Sequence, residues 1–205
     1  ANVGFCYDKG FGTDKNLTFA KKWYQQAAKQ GNKFGQLNYA QHLLNEAKGV
    51  VDIKGIQEAR KWFNEAFRQD PQFESAAYGI GMTYALTPNA TTDDLGEARH
   101  WLLKSQNSHE SLFALGALDE TQEKYGSAVE FYTRAKNAGS LSAVYNLGRF
   151  LDEGLGVVQN KQEAIREFRH AAEMGHAESQ YALGLSIYNA SNTPTGYIEA
   201  IMWWR

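Results

Sequence analysis

Apolar residues along this 205-residue chain recur at offsets of three, four and seven, in bursts separated by polar, glycine-bearing segments. Those offsets place side chains on one helical face, so the pattern predicts a succession of amphipathic α-helices joined by short loops. The helices repeat as pairs. Small residues at Gly4, Ala40, Gly81, Gly116, Gly148 and Gly184 stand 36, 41, 35, 32 and 36 positions apart, each preceded by Val3, Tyr39, Ile80, Leu115, Leu147 or Leu183. A second column, Ala20, Ala59, Ala98, Ala128, Ala164 and Ala200, follows these pivots at 16, 19, 17, 12, 16 and 16 positions. Three to four residues later comes a bulky pair: Trp23-Tyr24, Trp62-Phe63, Trp101-Leu102, Phe131-Tyr132, Glu167-Phe168 and Trp203-Trp204.

A small pivot lets two helix backbones approach closely while a large side chain on the second helix fills the space beside it. Gly31, Gly139 and Gly175 are placed to end second helices in the left-handed conformation. A single pair cannot bury its own apolar faces, so the pairs are expected to stack, each on the next. The loop from Thr87 to Asp94 carries no glycine and offers Thr92 or Asp93 as a helix cap.

At this point the residues resemble a known family. Asp152-Glu-Gly-Leu-Gly-Val, Ala164, Phe168, Ala171-Ala172 and Gly175, followed by Ala177-Glu-Ser-Gln-Tyr-Ala-Leu-Gly184, closely resemble the Sel1-like repeat, a relative of the tetratricopeptide repeat. The first unit resembles it again through Tyr7, Gly10-Phe-Gly12, Ala20, Trp23-Tyr24, Ala27-Ala28 and Gly31. Asp70-Pro71 and Asn107-Ser108-His109 stand where two middle repeats lack the terminal glycine, and those junctions and the fourth unit look more like plain tetratricopeptide repeats. The resemblance implies an all-α fold, a right-handed α/α superhelix (solenoid) of about six helix-pair repeats. It implies one repeat domain over residues 1–205 whose first and last repeats are incomplete. A longer protein, with further repeats or a capping helix, is the expectation, Trp203-Trp204 then facing a following repeat.

Composition and motifs narrow the function. With 21 Lys plus Arg against 23 Asp plus Glu, scattered, no basic stripe offers itself to nucleic acid. No apolar stretch approaches the roughly 18 residues of a membrane span, and the first residues lack the order of a signal peptide. Cys6 is the sole cysteine and does not choose a compartment. Asn-x-Ser/Thr triplets at Asn16, Asn89 and Asn189 are what a chain rich in these residues makes by chance. Gly10/Gly12 and Gly154/Gly156 lack a Walker lysine and a preceding strand, so they read as turn glycines. No nucleophile elbow, zinc helix or Cys-x-x-Cys pair occurs. His170 and His176, six apart across a helix end, read as surface or capping residues. The expectation is therefore no enzyme, no cofactor and no metal.

Proteins resembling this family assemble multi-protein complexes in bacterial envelopes and secretion systems, in host-interaction factors and in eukaryotic membrane-protein quality control. A protein-interaction scaffold or adaptor binding a protein or peptide on its concave face stands first. An immunity protein blocking one toxin stands second and a hydrolase last. Many Gln and Asn with few Pro lean towards a bacterium, in the envelope, periplasm or cytoplasm. In stacks of this kind the first helices line the concave side, so residues three before, one after and four after each pivot are the candidate contacts. Three before stand Leu37, Tyr78, Phe113, Tyr145 and Tyr181; one after stand Gln41, Met82, Ala117, Arg149 and Leu185; four after stand Leu44, Ala85, Glu120, Asp152 and Tyr188. Met82, Arg149 and Tyr188 are the foremost candidates. Tyr78, Phe113, Tyr145 and Tyr181 serve equally well as packing between neighbouring first helices.

Overall fold

The computed structural model describes residues 1–50, 52–191 and 193–204; Arg205 lies outside the described residues. Twelve α-helices form among them, and no strand: α1 Asn2–Lys9, α2 Leu17–Lys29, α3 Lys33–Val50, α4 Ile53–Gln69, α5 Glu74–Ala85, α6 Thr92–Leu103, α7 His109–Thr121, α8 Tyr125–Asn137, α9 Leu141–Glu153, α10 Lys161–Glu173, α11 Ala177–Ala190 and α12 Pro194–Trp203. They are the six pairs that the pivots predict. The chain falls into two compact units, residues 1–105 with α1–α6 and residues 106–205 with α7–α12. Within each unit every helix packs on the next.

Most helix starts are set by a side chain that accepts a backbone N–H in the first turn. Asn16 accepts from Phe19 at 3.0 Å, Ser108 from Ser111 at 3.1 Å and Asn160 from Glu163 at 3.1 Å. His176 caps α11 in the same way, its Nδ1 accepting from the Ser179 N–H at 3.3 Å, which is the capping role expected of it. The start of α6 differs from expectation by one residue. Thr91, not Thr92 or Asp93, is the cap, because Asp94 three residues on reaches back to the Thr91 N–H at 2.9 Å and closes a reciprocal capping box. Those bonds hold the Asp94 carboxyl below its usual range. Gly31, Gly139 and Gly175 end second helices at φ of 80°, 95° and 85°. In the short loop before α8, Glu123 takes that left-handed conformation instead, at φ 57°.

The pivots pack as the small-against-large pattern requires, with one refinement. A Cβ built on Gly148 would sit 2.6 Å from Phe168 Cε1, one on Gly116 2.6 Å from Tyr132 Cδ1, and one on Gly4 2.8 Å from Tyr24. Gly81 meets Leu102 and Gly184 meets Trp204. The partner is the second member of each bulky pair. Tyr24, Phe63, Leu102, Tyr132 and Phe168 are buried, whereas Trp62 and Trp101 are half-buried and Trp23 is exposed. Successive helical residues are about 100° apart, so only one of two neighbours can aim at the pivot. The other leans on a neighbouring helix, as Trp62 of α4 does edge-on against Tyr39 of α3, ring centroids 5.7 Å apart. Glu167, which replaces the aromatic, instead forms an ion pair with Lys136.

Candidate protein-binding site

The first-helix columns divide according to unit. In the N-terminal unit Met82 on α5 packs against the core cluster of Tyr24, Leu44, Phe63 and Ile80, Tyr78 is half-buried, and the Gln41 amide on α3 donates to Asn45 at 3.0 Å. An open cleft of about 750 Å³ lies in the same unit between the second helices α2 and α4, with Lys29, Lys61, Glu65 and Trp62 among its walls.

In the C-terminal unit the columns come together. Phe113 on α7 lies against Tyr132, centroids 5.6 Å apart, and Tyr145 on α9 lies against Phe168 at 5.8 Å and His176 at 5.9 Å. Both are half-buried lids over the bulky residue of their own pair. Glu120 accepts the Tyr132 hydroxyl at 2.7 Å and forms an ion pair with Arg149, whose Nη1 is 3.7 Å from Glu153. Burial, reinforced by Glu120, drives the Tyr132 phenol well above the tyrosine range. Arg149 is thus held by two carboxylates and lies 5.2 Å from the Phe150 ring centroid. Asp152, one turn on, lines a cleft of about 150 Å³ with Lys161 and Ile165 of α10 and Ser186, Asn189 and Ala190 of α11.

Tyr181, Leu185 and Tyr188 form one stripe on α11, because offsets of four and three return to the same face. They are 63%, 41% and 48% exposed. Residues of α12 and the turn after it extend the stripe. Tyr188 lies 5.1 Å from the Tyr197 ring and 5.9 Å from that of Trp204, and the Trp204 indole donates to the Tyr181 carbonyl at 3.2 Å. Sequence reasoning missed the share of Tyr197 and Trp204. The bulky-pair column carried the signal for Trp204, whose ring fills the space over Gly184 in the manner of its counterparts.

Comparison with known proteins agrees with this geometry. The Sel1 repeat family model matches residues 1–32, 34–71, 141–176 and 177–205, well over half of the chain, and the protein belongs to that family. A stretch of 47 residues is 43% identical to the sel1-like repeat-containing protein L21 of Acanthamoeba polyphaga mimivirus, covering 23% of this chain and 9% of that protein. The crystal structure of a Sel1 repeat protein from Oxalobacter formigenes is similar over 98% of this chain and 83% of its own, with a TM-score of 0.74 and 25% identity. That of c5321, a protective antigen present in uropathogenic Escherichia coli strains, is similar over 98% of this chain, with a TM-score of 0.61 and 23% identity. The chain spans 51% of that structure. The protein is thus an all-helical repeat solenoid of the Sel1/tetratricopeptide class, a fold that generally serves as a scaffold for protein–protein interaction.

Proposed function

We propose that this protein is an adaptor that receives a segment of a partner protein on the first helices of its C-terminal unit, in a bacterial envelope, secretion or host-interaction system. One observation carries the reading: Tyr181, Leu185 and Tyr188 stay exposed on one face of α11, braced by Tyr197 and Trp204 rather than covered. Exposed tyrosine and tryptophan held by their neighbours give large contact area at little cost in side-chain ordering. The bacterial setting is supported by the bacterial origin of the two structural relatives. Arg149, Glu120 and Asp152 form the polar rim of this surface, while Phe113 and Tyr145 act as packing beneath it.

The test is affinity capture from the source organism, comparing the wild-type chain with a Tyr181→Ala/Tyr188→Ala double variant of unchanged helicity. The adaptor reading expects a protein that the wild type retains and the variant loses by roughly tenfold or more. Equal retention by both would move the site off α11.

A further inference from the structure

We propose that the surface on α9 and α11 recognises a basic side chain, arginine or lysine, presented by the partner segment between apolar neighbours. The proposal rests on the adaptor reading above and names the chemistry of its partner. Its basis is a comparison of registers within the C-terminal unit. Glu120 stands four residues after pivot Gly116, and Arg149 one residue after pivot Gly148; the two form an ion pair that joins α7 to α9. One repeat on, Asp152 stands four after Gly148, and the position one after Gly184 is Leu185. The cation that closes the first junction is replaced by an exposed apolar residue at the second.

Asp152 is left without a partner as a result. Its backbone carbonyl accepts from the Gln159 amide at 2.7 Å, but its carboxylate makes no hydrogen bond or ion pair among the described residues. Lys161 lines the same cleft from α10 yet lies beyond ion-pair distance, and the neighbouring guanidinium of Arg149 is already engaged by Glu120 and Glu153. Ser186 and Asn189 add uncharged polar groups to the cleft wall. Glu120 and Glu153 thus engage Arg149, while the carboxylate of Asp152, without a partner, opens into a cleft walled on α11 by Ser186 and Asn189, the residues that follow Leu185 and Tyr188 of the exposed stripe. A basic side chain fits both halves. Its charged end satisfies Asp152, its aliphatic stem covers Leu185, and its apolar neighbours lie on the tyrosines. Aromatic faces also attract cations in their own right.

Display of random peptides against the intact chain, followed by titration of the selected peptides in labelled form, tests this. The expected result is a shared arginine or lysine between apolar residues. Affinity should fall about tenfold or more on changing that residue to glutamine, and equally on Asp152→Asn. Leu185→Arg, which installs in cis the cation found at the Glu120 junction, should abolish binding while leaving the melting temperature unchanged or higher. Peptides that lose binding on Tyr188→Ala but are indifferent to Asp152→Asn and to their own basic residue would overturn the proposal and leave the adaptor reading intact. Peptides indifferent to Tyr181→Ala and Tyr188→Ala as well would overturn both. Failure of any peptide to be enriched would also overturn the proposal.

Discussion

Gly148 and Phe168 show how much rests on single positions. Gly148→Leu would drive a side chain into the Phe168 ring, and a loss of about 1–3 kcal/mol by overpacking is expected in urea denaturation. The complementary change is Phe63→Ala. With Phe63 at 0% exposure the cavity should cost about 3–5 kcal/mol, and the half-buried Trp62→Ala should cost less. Glu123 offers the opposite sign. An L-residue held in the left-handed region is strained by roughly 1 kcal/mol, so Glu123→Gly should raise the melting temperature. His42 gives a pH dependence. Burial between α1 and α3 lowers its imidazole below the ordinary 6.5, although Asp8 at 3.9 Å opposes the shift. A depressed folded value means that stability is fully present above 6.5 and is lost as pH falls through the folded value. Urea midpoints should decline from about pH 7 towards pH 5 in the wild type, and the decline should flatten in His42→Gln.

At the scale of elements, the helix pairs, their pivots and their alanine columns were legible in the sequence because they rest on period and residue size alone. The choice between neighbours was not. Trp62 and Phe63 differ by one position, and the phase that buries Phe63 is fixed only once α4 packs between its neighbours. Likewise Thr91 and Thr92 are chemically equal, and the reach of Asp94 back to Thr91 selects the first. Loss of that box in Thr91→Ala should cost about 1 kcal/mol, read as earlier fraying of α6 by hydrogen exchange. Of the candidate site, the first-helix columns showed which residues share a helix face. They did not show that Arg149 is engaged by Glu120 and Glu153, since that depends on which helix stands beside which. Arg149→Ala therefore should lower the melting temperature as well as any affinity, because it leaves Glu120 half-buried without its cation.

For the whole molecule, near-balanced charge and scattered acidic and basic residues give no long-range field that would steer a partner. The proposed recognition therefore relies on local features, the exposed stripe on α11 foremost. The repeat itself carries a further consequence. In five of the six pairs the residue that fills the pivot's space lies in the same pair: Tyr24 for Gly4, Leu102 for Gly81, Tyr132 for Gly116, Phe168 for Gly148 and Trp204 for Gly184. Each lock and its key are therefore inherited together. A duplication that copies one whole pair copies a finished contact, so such a chain can grow or shrink by cassettes without its core being refitted. The α3–α4 pair adds a contact across the boundary: its pivot is Ala40, and Phe63, which shares a core cluster with it, also presses on Gly79 of the following pair. A gene cut between α4 and α5 would part that lock from its key, and the first two-thirds of the N-terminal unit could be transplanted only with α5 attached.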